Sequence, residues 1–487
     1  MTAQTILPAN STTGGFEVSN SLRFNVASTD YLALTPGSAG NTKLWTWSAW
    51  FKKSVTGADM GLFGQFVDAN NGFRIKFRDD DRLQVDNYAS GSATMNLILT
   101  QQLKDPAAWY HLVVAYDSAQ STASNTVKIY INGTRVTALN TETYPSQNVV
   151  TTLPIDGSPM ELGRTTQSSN DPQYFGGYFS EVVLVDGQAL DSTSFGEFDE
   201  DSGIWKPINV NTLTYGTNGF HLEFKGSGTG TNASGMGADT SGNDDHFAVN
   251  NLTAVDQSTD TCTNNFATMN SLAVPPANAP TFTEGNLKIS TNNANANPVL
   301  STIGVSQGKW YVECKRISFD SGSADDGFRI GFGTTHVENV NLVPPGISNS
   351  GHYFMIGNGT VYNGSTDLGD KDGDSNISDD GVVGIALDLD NNRISWSFDG
   401  VWMTGSNAWS GSSPSSYVDI ASGYTYFFLQ TDGSTGRGYT AGWNFGGTSA
   451  FAISSGNADA NGHGNFEFAP PSGYFALCTK NLAEYGG

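Results

Sequence analysis

Basic residues are scarce in this chain. Only 23 Lys and Arg stand against 47 Asp and Glu in 487 residues, a formal charge of −24. Nucleic-acid binding rests on neutralising phosphates with cations, so this balance argues against a nucleic-acid partner. Charge of either sign is thin, at 14% of residues, which leaves Ser, Thr, Asn and Gly to cover the surface. Long apolar runs are missing as well, since no stretch approaches the roughly 18 residues of a membrane span, and no membrane insertion is expected. Residues 1–20 have neither a basic start nor an apolar core, so the expected route out of a cell is not a signal peptide. Cysteine is limited to Cys262, Cys314 and Cys478, an odd number that supplies no disulfide framework. The six His, at 111, 221, 246, 336, 352 and 463, show no H-x-x-x-H spacing, which weakens a zinc reading. No G-x-S-x-G, no P-loop and no G-x-G-x-x-G opening a helix is present, so a nucleophile with its base and a nucleotide cradle lack their usual signatures.

What is present is alternation. Across residues 44–53, Trp45, Trp47, Ala49 and Phe51 fall on one face, with Leu44, Thr46, Ser48, Trp50 and Lys52 on the other. Period two is the spacing of a strand with one buried face, so the first set is read as core and Trp50 as the most exposed of the three Trp. Similar segments bounded by Gly, Asn or Asp recur along the chain, whereas helix-forming runs are few. The expectation is an all-β protein with two jelly-roll-like β-sandwich domains. Residues 1–20 read as an N-terminal arm and 21–225 as the first sandwich. Residues 226–300, dense in Asn, Ser, Thr and Ala, read as an extended connector. The second sandwich is expected over 301–450, and 451–487 as a C-terminal segment that wraps across it, because Pro470-Pro471 stops a ladder.

Two resemblances follow from particular residues. Gly308-Lys309-Trp310-Tyr311-Val312-Glu313-Cys314, then Gly327-Phe328-Arg329-Ile330-Gly331-Phe332-Gly333, then Gly381-Val382-Val383-Gly384-Ile385-Ala386-Leu387-Asp388, and finally Ile394-Ser395-Trp396-Ser397-Phe398-Asp399-Gly400 together resemble a SPRY domain. That family implies a binding β-sandwich and no catalysis. Earlier, Trp109-Tyr110-His111-Leu112-Val113-Val114 with Tyr130-Ile131-Asn132-Gly133, extending to Glu181-Val182-Val183-Leu184-Val185-Asp186-Gly187-Gln188-Ala189-Leu190, resemble the laminin-G-like, concanavalin-A-like sandwiches of phage virion proteins.

Three constellations could carry chemistry. In residues 370–381 Asp370, Asp372, Asp374 and Asn376 occupy alternate positions and Asp380 follows. Alternate oxygen donors suit a hard cation such as calcium, and close carboxylates repel one another without a counter-ion. The EF-hand pattern is incomplete, because position twelve is Gly381 instead of Glu, and a solvated acidic loop stands beside the metal reading. Glu197-Phe198-Asp199-Glu200-Asp201 partly matches the E-x-D-x-E strand of laminarinase-type glucanases, but Asp201 replaces the last Glu. Asp79-Asp80-Asp81 between Arg78 and Arg82 reads as a hairpin turn.

These features lead to an expectation of a non-enzymatic phage virion appendage: a tail fibre, spike or head fibre, released by lysis. Its partners would be other virion proteins and a host-surface glycan or receptor, in a homo-oligomer that could be a trimer. By analogy with the loops at one SPRY edge, His352, Tyr353, Tyr362, Trp402 and Trp409 are the expected ligand contacts. The alternatives are a capsid decoration protein that binds only virion subunits and a polysaccharide depolymerase.

Overall fold

The computed structural model describes residues 15–167, 171–274, 279–291, 298–319, 327–334, 352–357, 359–363, 366–370, 377, 380–404, 408–431 and 438–486. The chain divides into two compact units, with the boundary between Thr263 and Asn264. Both are built almost wholly from antiparallel sheet.

In the N-terminal unit one sheet runs, in spatial order, through Thr134–Arg135, Val127–Ile131, Trp109–Asp117, Leu44–Lys53, Gly177–Asp186, Ser21–Phe24 and Gln257–Ser258, with Phe220–Leu222 also paired to Gly177–Asp186. The facing sheet runs through Leu139–Thr143, Ser92–Gln102, Arg82–Ala89, Asn71–Phe77, Met60–Asp68, Met160–Leu162, Tyr31–Leu34 and Ala248–Asn250. Trp45, Trp47, Ala49 and Phe51 do point into the core between them. Trp45 meets Phe73 edge-on at 5.0 Å, and Trp47 stacks on Phe63 at 5.4 Å, so aromatic packing joins the two layers.

The other face of the first sheet departs from expectation. Trp50 is 3% exposed, because further chain segments cover that face as a third layer. Val18, Trp109, Tyr178, Trp205 and Cys262 pack around Trp50, and Phe195, Val210 and Tyr215 cover Val113, Val183 and Val185. Polar residues on this face are paired. Arg23 donates to Asp256 at 3.0 Å, and Lys52 to Asp260 at 2.8 Å. The 79–81 turn forms as read, with an addition: Asp81 adopts φ 62° and turns its carboxylate inward, where it accepts from Lys53 Nζ at 2.8 Å.

Residues 226–300 do not form an extended connector. Ala248–Asn250 pairs with Tyr31–Leu34 and Gln257–Ser258 with Ser21–Phe24, which completes edges of the N-terminal unit. Lys288–Ser290 and Val299–Val305 enter the sheets of the C-terminal unit. Apart from Val299–Val305 the strands of this stretch are two or three residues long, too short for a hydrophobic alternation to show. Residues 1–14 of the expected arm lie outside the described residues. Val18 is fixed, its carbonyl accepting from the hydroxyls of Thr261 and Thr263.

In the C-terminal unit the larger sheet orders Thr281–Thr283, Lys288–Ser290, Tyr439–Asn444, Lys309–Phe319, Val382–Asp388, Arg393–Phe398, Val401–Thr404 and Ala408–Gly411. The second orders Val299–Val305, Tyr426–Thr431, Arg329–Thr334, Tyr353–Ile356, Thr360–Asn363 and Thr366–Asp370. The SPRY-like segments form the centre of both. The C-terminal segment wraps the larger sheet and adds a short parallel ladder to it, Phe475–Ala476 beside Trp310 and Tyr311, before the Thr479–Tyr485 helix.

Candidate functional site

Of the residues expected to contact a ligand in the C-terminal unit, Tyr353, Tyr362, Trp402 and Trp409 lie on strands. Tyr353 opens the Tyr353–Ile356 strand and is 4% exposed, with His352 just ahead of it at 2%. The Tyr353 hydroxyl accepts the Ala421 N–H at 3.0 Å, and its ring lies in the core. Trp402 is 4% exposed and packs with Tyr311, Phe466 and Tyr474. The position of each within a hairpin, with the C-terminal segment folded over Trp402, explains the burial. Tyr362 and Trp409 are half-buried, Tyr362 stacked on Phe354 at 5.6 Å and Trp409 tilted against Phe398 at 6.1 Å. The two sets belong to different sheets, so strand pairing does not gather them into one patch.

Of the acidic stretch, Asp372, Asp374 and Asn376 lie outside the described residues, and Asp370 ends the Thr366–Asp370 strand. Asp380 is exposed and sits 3.2 Å from Lys315 Nζ. Near residue 197, Gly196–Phe198 pairs with Trp205–Pro207. Lys206 Nζ bridges Glu197 at 3.3 Å and Asp199 at 3.1 Å. Hydrogen bonds from the backbone and hydroxyl of Ser202, then Lys206, hold the Asp199 carboxyl down at about 2. A glycosidase acid needs the opposite shift, so Asp199 does not have the protonation of a general acid.

A second arrangement invites a catalytic reading and fails it. Ser48 Oγ lies 2.8 Å from His111 Nε2. The indole N–H of Trp205 donates to His111 Nδ1 at 3.0 Å. Because an indole can only donate, Nδ1 must be bare and the neutral ring carries its proton on Nε2, which then donates to Ser48. A general base needs that nitrogen free. The ring is stacked on Trp50 at 4.7 Å and is 1% exposed. Burial pushes its pKa down to about 3. The pair is structural.

An open polar cleft of about 430 Å³ lies at one end of the first sheet, lined by Ala39, Asn41, Lys43, Asp186, Gly187 and Thr217 among others. It forms where the Gly177–Asp186 strand ends beside the start of Leu44–Lys53, with Asp186 paired to Trp45. Asp186 organises it: Oδ1 accepts the Asn41 N–H at 2.7 Å and Oδ2 the Asn218 N–H at 3.1 Å. The Asn218 side chain in turn donates to Ser38 O at 2.9 Å. A Cβ at Gly40 would come within 2.5 Å of Asp186 Oδ2 and of Pro154 Cγ, so the two loops close on each other only with glycine there. Asn41, Lys43 and Thr217 stay exposed at the rim. The volume suits a small polar ligand such as a mono- or disaccharide, and amide, ammonium and hydroxyl groups on a fixed frame match a hydroxyl-rich one. None of these residues was among the expected contacts. The one signal in the sequence was an Asp-Gly pair at the end of an apolar strand, since Asn41 and Thr217 are ordinary loop residues there.

Several solved structures are similar to parts of the chain. The SPRY domain of human HERC1 aligns at 11% identity and a TM-score of 0.28, over 38% of this chain and 99% of that one. A Bacteroides ovatus protein whose name assigns it to carbohydrate binding aligns at 15% and 0.32, over 48% of this chain and 59% of its own. The heptameric SAP-like pentraxin of Limulus polyphemus aligns at 12% and 0.27, over 36% and 80%. No curated protein matches the sequence. Residues 26–193 match the family model Laminin_G_3, the concanavalin A-like lectin/glucanases superfamily, and the N-terminal unit has that concanavalin A-like lectin fold.

Proposed function

We propose that this chain is a non-enzymatic binding protein, a phage virion appendage of the tail-fibre, spike or head-fibre kind, that takes host-surface carbohydrate in the Asp186 cleft. The observation that carries the reading is the cleft itself. It is an open polar site whose framework carboxylate is held by two backbone amides, on a unit that matches a lectin and glucanase superfamily. The Ser48 and His111 grouping has the wrong tautomer for a general base, and Asp199 is shifted the wrong way for a general acid, which supports the binding reading. The virion assignment draws on the resemblance to phage sandwiches of residues 181–190 and of Phe195-Gly196-Glu197-Phe198 that follows them. Single polar contacts with a sugar are weak, so several copies on one particle would supply avidity. A calcium ion in residues 370–381 belongs to the same proposal and rests on the alternating donors of the sequence.

The test is a glycan array probed with the full chain, displayed in many copies on beads, beside Lys43→Ala and Thr217→Val. Selective binding weakened by about tenfold or more in the variants supports the cleft. Binding unchanged by both variants moves the site elsewhere. No glycan bound at all, with the chain found by cryo-EM tiled among neighbouring subunits on a capsid, replaces the proposal by a decoration role.

A further inference from the structure

A second grouping lies on the covered face of the same sheet and takes no part in the cleft. His221 and Glu223 alternate along and just beyond the Phe220–Leu222 strand, so both side chains leave on one face. That strand pairs with Gly177–Asp186, Val182 opposite Leu222 and Val183 opposite His221. Glu181 falls where the pairing of Gly177–Asp186 with Leu44–Lys53 shifts register between Ser180 and Val183, and its φ is 47°. A bulge of this kind re-aims a side chain. Here it brings the Glu181 carboxylate to His221 Nε2, 2.8 Å away. One ligand atom from each of Glu181, His221 and Glu223 lies within 4.8 Å of the others. The three residues are 7%, 1% and 8% exposed.

The surroundings set the imidazole for ligation. Asp239 Oδ1 accepts the backbone N–H of His221 at 2.8 Å and fixes the main chain there, the Thr240 hydroxyl lies 3.3 Å from the ring Nδ1, and the Tyr215 ring stacks at 6.2 Å. A hydroxyl partner at Nδ1, which leaves Nε2 to face a cation, is the usual outer layer of a metal site. The charge is lopsided. Glu181, Glu223 and Asp239 are buried carboxylates around one imidazole, and Lys225, which reaches Glu223 at 2.6 Å, is itself 61% exposed.

We propose that Glu181, His221 and Glu223 hold one divalent first-row transition-metal ion, with Zn²⁺ as the best match to one imidazole and two carboxylates. Imidazole is a poor donor for Ca²⁺ or Mg²⁺, and no thiolate set favours softer ions, so the donor types select this class. The ion would tie the strand that begins after Thr217 and Asn218 to the strand that ends in Asp186, and so brace both walls of the cleft. Its existence does not depend on glycan recognition.

The experiment is native mass spectrometry and calorimetric titration of the full chain after chelation, with ZnCl₂, MnCl₂ and CaCl₂ in turn and no sugar present. The expected result is one Zn²⁺ per chain, weaker Mn²⁺ and no Ca²⁺ at this site. Glu223→Gln should weaken Zn²⁺ at least about tenfold and His221→Gln should abolish the stoichiometric site. If His221→Gln fails to fold, Lys225→Met decides: removing the exposed competitor for Glu223 should tighten Zn²⁺ without disturbing the core. Co²⁺ replacing Zn²⁺ should give visible absorption that Glu223→Gln changes. Zn²⁺ uptake that is absent, or indifferent to both Glu223→Gln and Lys225→Met, overturns the proposal.

Discussion

Trp205 donates its indole N–H to Nδ1 of His111 across 3.0 Å and thereby assigns the imidazole proton to Nε2. The ring is sealed between layers, and burial pushes its pKa down to about 3. In the unfolded chain the same group titrates near 6.5. Between these values the unfolded chain holds a proton that the folded one does not. Stability therefore falls as pH drops from about 6.5 toward 3, by up to about 1.4 kcal/mol per pH unit from this group. Imidazole ¹⁵N shifts should show one neutral Nε2–H tautomer down to pH 4.5. A ring that titrates near 6.5 in the folded protein would refute this.

Glu313, from the G-K-W-Y-V-E stretch, anchors the C-terminal segment. Oε1 accepts the Phe468 N–H at 2.8 Å and the Tyr311 hydroxyl at 3.1 Å, while Oε2 accepts the Glu467 N–H at 2.9 Å and the Asn444 amide at 3.0 Å. Burial nonetheless pushes its carboxyl up to about 7, against the pull of those donors. The folded value exceeds the unfolded one, so this group's contribution declines as pH rises from about 4.5 through 7. Glu313→Gln should flatten that dependence. It should also cost about 1–3 kcal/mol, because an amide NH₂ confronts donors where an oxygen accepted them. Hydrogen exchange at Glu467 and Phe468 reports the loss directly; unchanged protection there would contradict the anchoring role.

The contrast between Trp47 and Trp50 marks how far the sequence could be read. Period two placed Trp45, Trp47, Ala49 and Phe51 in the core correctly, because a strand's own alternation records which face is buried by its partner sheet. Trp50 was misplaced because its cover comes from Val18, Trp205 and Cys262, far away in sequence and without periodicity of their own. The same physics hid residues 226–300, where most strands are too short to show an alternation, although Phe247, Leu252 and Ile289 lie in the cores. His352 and Tyr353 were read as a loop edge by analogy, whereas the strand Tyr353–Ile356 puts Tyr353 in the core. The cleft was illegible for a related reason, since Asn41, Asp186 and Thr217 meet only through tertiary structure. His221-Leu222-Glu223 was the more readable case, two donors at strand spacing, but the bulge at Glu181 that completes the group has no sequence signature.

The pair Lys52 and Asp260 tests how the third layer is held. Lys52 Nζ sits 2.8 Å from Asp260 Oδ2, both side chains at most 2% exposed, and Trp109 donates to Oδ1 at 3.1 Å. Removing one buried partner strands the other charge. Asp260→Ala should cost about 3–5 kcal/mol, while Lys52→Met combined with Asp260→Asn, which keeps an acceptor for Trp109, should recover much of it. Thermal unfolding of the single and double variants measures the coupling. A double variant no better than Asp260→Ala would show that the ion pair is not what fastens residues 256–263.

Gly187 offers a way to separate the cleft from the fold that carries it. Its φ is +90°, and a Cβ built there meets no atom within 4 Å, so Gly187→Ala should cost only the left-handed backbone penalty of about 1 kcal/mol. The added methyl projects into open space at a residue that lines the cleft, where it would displace a sugar hydroxyl or its water. Gly216 is the opposite case, with φ +79° and a Cβ that would lie 2.1 Å from the Asp186 carbonyl oxygen. Gly216→Ala should unfold the cleft wall and lower stability well beyond the backbone penalty. The expected pattern is glycan binding reduced by both substitutions, with a near-normal melting temperature only for Gly187→Ala. If Gly187→Ala leaves glycan binding intact while the protein still binds, the ligand is held elsewhere on the chain and the polar cleft is a feature of loop packing alone.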